Sequence, residues 1–187
     1  MRLQVIEPQP PNQTWPRYST HPFPSYRFLP GNNLHPRRDP LGHSYGQPEP
    51  QLVAFPPEEW ERSEDYLYGI DLYNYAYWWE CHEVFEGLWH AAGHDTEQGN
   101  FFQSLIQFAA ANLKRFLGNE QAAQKLARSG LARLQSLPQL YMGIDIIAFS
   151  EKYGTLSTPF ASSVPYQVHL ALQAPSSRND LKNELRM

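Results

Sequence analysis

Thirteen of the 17 prolines in this 187-residue chain precede Glu58, and that one-sided distribution constrains the fold more than any other feature. Proline fixes φ, lacks an amide donor and drives its predecessor out of the helical region. Helices are nearly excluded from Pro8 to Pro57. Yet the same stretch carries Trp15, Tyr18, Phe23, Tyr26, Phe28 and Tyr45, whereas solvated linkers are poor in aromatic residues. Residues 1–57 are therefore expected to form an extended arm that lies on a folded body and buries some of these rings.

From Glu58 the pattern becomes helical. Five helices are expected, at about 57–73, 75–92, 98–117, 120–136 and 141–153. Gly93, Gly118, Pro138 and Gly154 separate or end them, and Asn119 serves as an N-cap. Glu58 and Glu59 fall in the first turn, where the helix dipole favours them. The short connections make successive helices antiparallel neighbours. The expected class is an all-α antiparallel bundle over residues 58–154. A polar tail, 155–187, is interrupted by Pro159, Pro165 and Pro175. A short helix near 167–173 fits its pattern, and the last dozen residues are expected to be mobile.

Composition narrows the function. The apolar residues, 41% of the chain, concentrate between Leu67 and Tyr153, enough for one core. A net charge of −4 without a basic run argues against nucleic acid as a partner. No stretch reaches the roughly 18–20 apolar residues that span a bilayer, which argues against a membrane. The single cysteine, Cys81, cannot form an intramolecular disulfide, and the N-terminal apolar stretch is too short for a signal peptide. A cytoplasmic location is expected.

The most pointed chemistry lies on the second helix. At about 100° per residue, Trp78, His82, Phe85 and Trp89 share one stripe, with Glu86 roughly 80° round from Trp78 and Glu83 roughly 140° round. His82 is thus expected on the core-facing seam between two tryptophans, with Glu86 along its edge and Glu83 pointing elsewhere. Side chains at i and i+4 project in parallel. His82 and Glu86 can therefore hold one divalent ion, or Glu86 can simply accept a hydrogen bond from His82. The alternative to a functional pair is a buried structural one. On the third helix Phe102, Ile106, Ala109 and Leu113 form a similar seam. Gln103 and Gln107 lie beside it, either orienting His82 or a substrate, or serving as surface residues.

The arm holds a second concentration, His35, Asp39 and His43. Pro36 and Pro40 forbid a helix there, so convergence on His82 and Glu86 depends on a loop. Nitrogen and oxygen ligands of this kind suit zinc, manganese, nickel or iron. The plainer reading makes His-Pro and Asp-Pro turn markers. His90 and His94 read as exposed histidines near a helix C-terminus, and Cys81 as a small buried residue.

The stretch from Tyr77 to Trp89 resembles the family called domain of unknown function 309. Its hallmark, His-x-x-x-Glu-x-x-Trp, is met by His82, Glu86 and Trp89. Phe102 to Ala111, Gly118-Asn119 and Tyr141 to Asp145 resemble later blocks, so the likeness runs from about Glu64 to Gly154. The resemblance implies an all-α bundle. It also implies a metal-dependent hydrolase in which His82 and Glu86 are ligands or catalytic residues and Trp89 packs. The arm lies outside it.

Two functional readings follow. One is a metal-dependent hydrolase acting on a small-molecule ester, amide or phosphoester, with Glu83 or Asp145 as candidate base and Trp78, Trp89, Gln103 and Gln107 lining a pocket. The other is a non-enzymatic helical scaffold or binding module whose aromatic arm docks a partner or a second copy, leaving His82 and Glu86 a structural pair. A homo-oligomer is compatible with either.

Overall fold

The computed structural model describes residues 6–156 and 168–171, without the side chains of 154–156. A 3-10 helix, Pro57–Arg62, leads into α1 (Glu64–Asn74), α2 (Trp78–Ala92), α3 (Glu97–Phe116) and α4 (Glu120–Leu134). A minimal antiparallel hairpin, β1 (Leu140–Tyr141) and β2 (Ile144–Asp145), precedes α5 (Ile146–Leu156). The helical class expected from the sequence is the one observed.

Local chemistry sets the boundaries, and in three places moves them. The expected first helix is split at Ser63, whose extended backbone breaks it and whose hydroxyl accepts from Tyr66 N at 3.3 Å. The second helix begins at Trp78 rather than Tyr75, because Ala76 adopts a left-handed φ of 65°. The fifth begins at Ile146 rather than Tyr141. Met142 (φ 44°) and Gly143 (φ 80°) both take positive φ, the signature of a two-residue hairpin turn. Gly143 also lies under Trp60: a Cβ there would stand 2.6 Å from the indole. Asn119 caps α4 as expected, accepting from Ala122 N at 3.1 Å. Thr96 caps α3 through Gly99 N at 2.9 Å.

α3 is the central helix and packs chiefly on α2 and α4. Trp78 meets Phe116 and Phe85 stacks on Phe102. Early α2 thus pairs with late α3, an antiparallel register. Phe108 against Gly130 and Asn100 bonded to Arg133 give the same sense for α3 and α4. The seam Phe102, Ile106, Ala109 and Leu113 is buried as expected. One face of this three-helix layer is covered by α1, the hairpin and α5, through Tyr66–Phe102, Phe101–Tyr141 and Phe108–Tyr153. Inside, Tyr73 OH bonds Tyr153 OH, and both meet Asn112. Burial pushes both phenols up.

From residue 6 to residue 56 the arm contains no helix or strand and is tied to the body at two buried carboxylates. Asp71, fully buried on α1, accepts from Arg17 Nε (2.8 Å), Tyr18 N (2.9 Å) and Ser19 N (2.9 Å). Glu80 on α2 accepts from Phe28 N at 2.9 Å and pairs with His43 Nε2 at 3.1 Å. Arg17 and Arg27 stack over Phe23 and Tyr77. Phe28 is buried, while Tyr45 remains exposed. Residues 168–171 are not helical; Val168 N donates to Asn74 Oδ1 at 2.7 Å. The rest of the expected 167–173 helix and the last dozen residues lie outside the described residues. Among those described, no helix is long and apolar enough to cross a membrane.

Candidate functional site

The buried line of α2 is Trp78, Cys81, Phe85 and Leu88, displaced from the stripe expected through His82 and Trp89. Packing of Gly69 against the Phe85 ring lets α1 approach closely and rotates the core face that way. His82, Glu86 and Trp89 consequently sit half-buried at the edge of α2 rather than on its core seam.

The edge faces polar residues of α3. Relative to Phe85, Trp89, His82 and Glu86 lie roughly 40°, 60° and 100° round α2. Relative to Phe102, Ala110, Gln103 and Gln107 lie roughly 80°, 100° and 140° round α3. In an antiparallel pair the two helical senses are opposed, so residues displaced the same way round each helix emerge on the same side. The two sets therefore face one another across the α2–α3 seam, with Gln107 near the axial level of His82 and Gln103 near that of Glu86. α4 forms the far wall, where Arg133 Nη1 donates to Asn100 Oδ1 at 2.8 Å. This is the face of the layer that α1, the hairpin and α5 leave open.

One ligating atom from each of His82, Glu83 and Glu86 lies within 4.8 Å of the others. His82 Nδ1 has no hydrogen bond and stands 3.6 Å from Glu83 Oε1, too far for one. Glu83 was expected to point elsewhere. Its three rotatable bonds carry the carboxylate back along the half-exposed edge toward its neighbour. The signal available in sequence was adjacency to His82, which wheel geometry discounts.

Several side chains of α2, α3 and α4 share a second property. Trp78 Nε1, Trp89 Nε1, Gln103 Oε1, Gln107 Oε1 and Arg133 Nε are all buried without a hydrogen-bond partner. Each such atom costs about 1–3 kcal/mol, and nearly every buried polar group in a folded protein is satisfied. These atoms come from α2, α3 and α4, while Glu80 Oε2, on the arm side of α2, and Tyr141 OH, in β1, are likewise without a partner.

The arm residues go elsewhere. His43 binds Glu80, on the side of α2 away from His82. His35 packs against Phe28 and Trp79, one turn before Glu83, and its Nδ1 accepts from Arg37 N. Asp39 accepts from Leu41 N at 2.9 Å, a local turn bond. None of the three joins the His82–Glu83–Glu86 group. Asp145, the other candidate base, is exposed and accepts from Ala148 N at the start of α5. Cys81 is fully buried, and burial pushes its thiol well above the ordinary range. Native protein is therefore expected to resist a thiol reagent such as dithionitrobenzoate and to react promptly once urea unfolds it. Fast native labelling would contradict that burial.

The fold is an all-α bundle with a half-buried histidine–carboxylate group on the edge of α2. Residues 66–126, covering α1 to α3 and the first part of α4, match the family model described as Domain of unknown function (DUF309). That match contains His82, Glu86 and Trp89 and supports the family resemblance. No curated protein matches the chain.

Proposed function

We propose that the chain is a metal-dependent hydrolase whose centre is His82, Glu83 and Glu86 on α2. The observation that supports this best is the convergence of one imidazole and two carboxylates on a half-exposed edge of α2. The donor set fits a divalent ion: nitrogen and oxygen ligands suit zinc, manganese, nickel or iron. Two protein ligands, His82 and Glu86, at a half-exposed edge leave coordination positions open, as catalytic sites require. When bound, such an ion supplies Lewis acidity and favours deprotonation of nearby water.

The chain's own groups divide the remaining work. His82 and Glu86, one turn apart, hold the ion. Glu83, whose carboxylate stands 3.6 Å from His82 Nδ1, takes a proton from the attacking water as the water's oxygen bonds to a carbonyl carbon or phosphorus. The proton then passes to the departing oxygen or nitrogen, completing hydrolysis of a small ester, amide or phosphoester. Gln103, Gln107 and the Trp89 indole, unpartnered in the fold, offer hydrogen bonds that orient the substrate beside α2.

Protein purified without chelator is expected to carry near-stoichiometric metal by elemental analysis. His82→Ala should lose it while keeping its helical circular dichroism. Metal-free wild type, or metal unaffected by His82→Ala and Glu86→Gln, would overturn the proposal. The scaffold reading is less well supported. The His82 side chain is 32% exposed, unlike a sealed structural pair, and several arm aromatics pack on the chain's own body rather than facing a partner.

A further inference from the structure

The last turn of α2 and the corner that follows it carry two histidines outside the His82 cluster, His90 and His94. His90 Nδ1 and His94 Nε2 stand 2.8 Å apart. His94 lies almost flat on the Trp89 ring, 3.9 Å between centroids and 16° between planes. His90 leans on the same ring at 5.1 Å. Both imidazoles are exposed. We propose that His90 and His94 form a second divalent-metal site, independent of the first, that takes a borderline ion such as Zn²⁺, Ni²⁺ or Cu²⁺ and clasps the α2–α3 corner.

The geometry is close to that of a chelate. A single proton joins the two nitrogens, so their lone pairs already converge. Ligands on a tetrahedral ion at about 2.0–2.1 Å are about 3.3 Å apart. The observed separation is within about 0.5 Å of that, which a modest swing of two exposed rings supplies.

The backbone also holds the pair in place. α2 ends at Ala92, and His94 reaches Trp89 only because Gly93 turns the chain at φ 90°. Thr96 then closes the corner: its hydroxyl donates to the Ala92 and Gly93 carbonyls, and its oxygen accepts from Gly99 N. A Cβ on Gly99 would stand 2.0 Å from the Gly93 oxygen, so the corner has little freedom. An ion here finds its ligands ordered in advance, which lowers the entropic cost of binding.

No third histidine, cysteine or carboxylate joins the pair among the described residues. Water completes the coordination, and the ion is exchangeable rather than structural. The site shares no ligand with His82, Glu83 and Glu86, and it stands whether or not the hydrolase proposal does.

The test is calorimetric titration of the full chain with Ni²⁺ in a His82→Ala/Glu86→Gln background, which removes the first site. One binding event is expected to remain there and to weaken at least tenfold with either His90→Ala or His94→Ala. No event in that background, or one indifferent to both substitutions, overturns the proposal. Should the double variant fail to fold, the same Ni²⁺ titration of His82→Ala alone must retain one binding event, and adding His94→Ala must abolish it. Absence of that event overturns the site equally.

Discussion

Asp71→Ala is expected to detach the first half of the arm and to destabilise the protein by about 2–5 kcal/mol, because it removes the buried acceptor of several donors. The carboxylate is fully buried and accepts from one guanidinium and two consecutive backbone amides. Truncation leaves Tyr18 and Ser19 amides with no acceptor, at about 1–3 kcal/mol each. Arg17 contributes less than its charge suggests, because its side chain is 33% exposed and screened by solvent. The arm has a way out: by lifting off, it rehydrates those amides and gives up its ring contacts instead. The loss should therefore appear both as a lower urea midpoint and as rapid proteolysis near Arg17 and Arg27. Asp71→Asn keeps one acceptor oxygen but turns an amide donor toward donors, so it should fall between. A wild-type midpoint together with an intact, protected arm would refute the anchoring role.

Phe85→Ala should cost about as much, roughly 3–5 kcal/mol for a fully buried phenyl. The ring is inaccessible, stacks on Phe102 at 6.1 Å and lies against Gly69. Its partner makes the sharper test. Gly69 is within α1, where alanine ordinarily gains about 1 kcal/mol. Here its Cβ would stand 2.6 Å from Phe85 Cε1, and overpacking costs about 1–3 kcal/mol. Gly69→Ala alone should thus destabilise. In the Phe85→Ala background the added methyl enters vacated space and should stabilise. Chemical denaturation of all four proteins would show this reversal of sign. Simple additivity would mean that the α1–α2 approach does not depend on that contact. The contact matters for function because it sets the rotation of α2, and hence which side of that helix His82 and Glu86 occupy.

Much of the framework could be read from the chain. Proline placement kept helices out of the arm. Gly93, Gly118 and Asn119 delimited the central helices to within a residue or two. The buried seam of α3 follows from its spacing, and the hallmark His82, Glu86 and Trp89 lies within the matched family region. These features are local. They depend on φ restriction, caps and a 3.6-residue period, all properties of neighbours in sequence.

What tertiary structure decided is rotation and convergence. Periodicity placed His82 on the seam of α2, but an apolar stripe broad enough to include both Phe85 and Trp89 does not say which edge is pressed inward. Gly69 against Phe85 answered that and moved the site to a half-open edge. Glu83 joined it through side-chain reach, which a helical wheel does not represent. His43 found Glu80 rather than Glu86, because a proline-rich arm follows whichever buried carboxylates can accept its donors. The chain by itself determined which segments are helical and where the candidate ligands lie along α2. Only the packing of α1 and α3 against that helix determined that those ligands sit at a half-exposed edge rather than in the core, because the free energy of burying one face over another belongs to the contacting surfaces together and to no single segment.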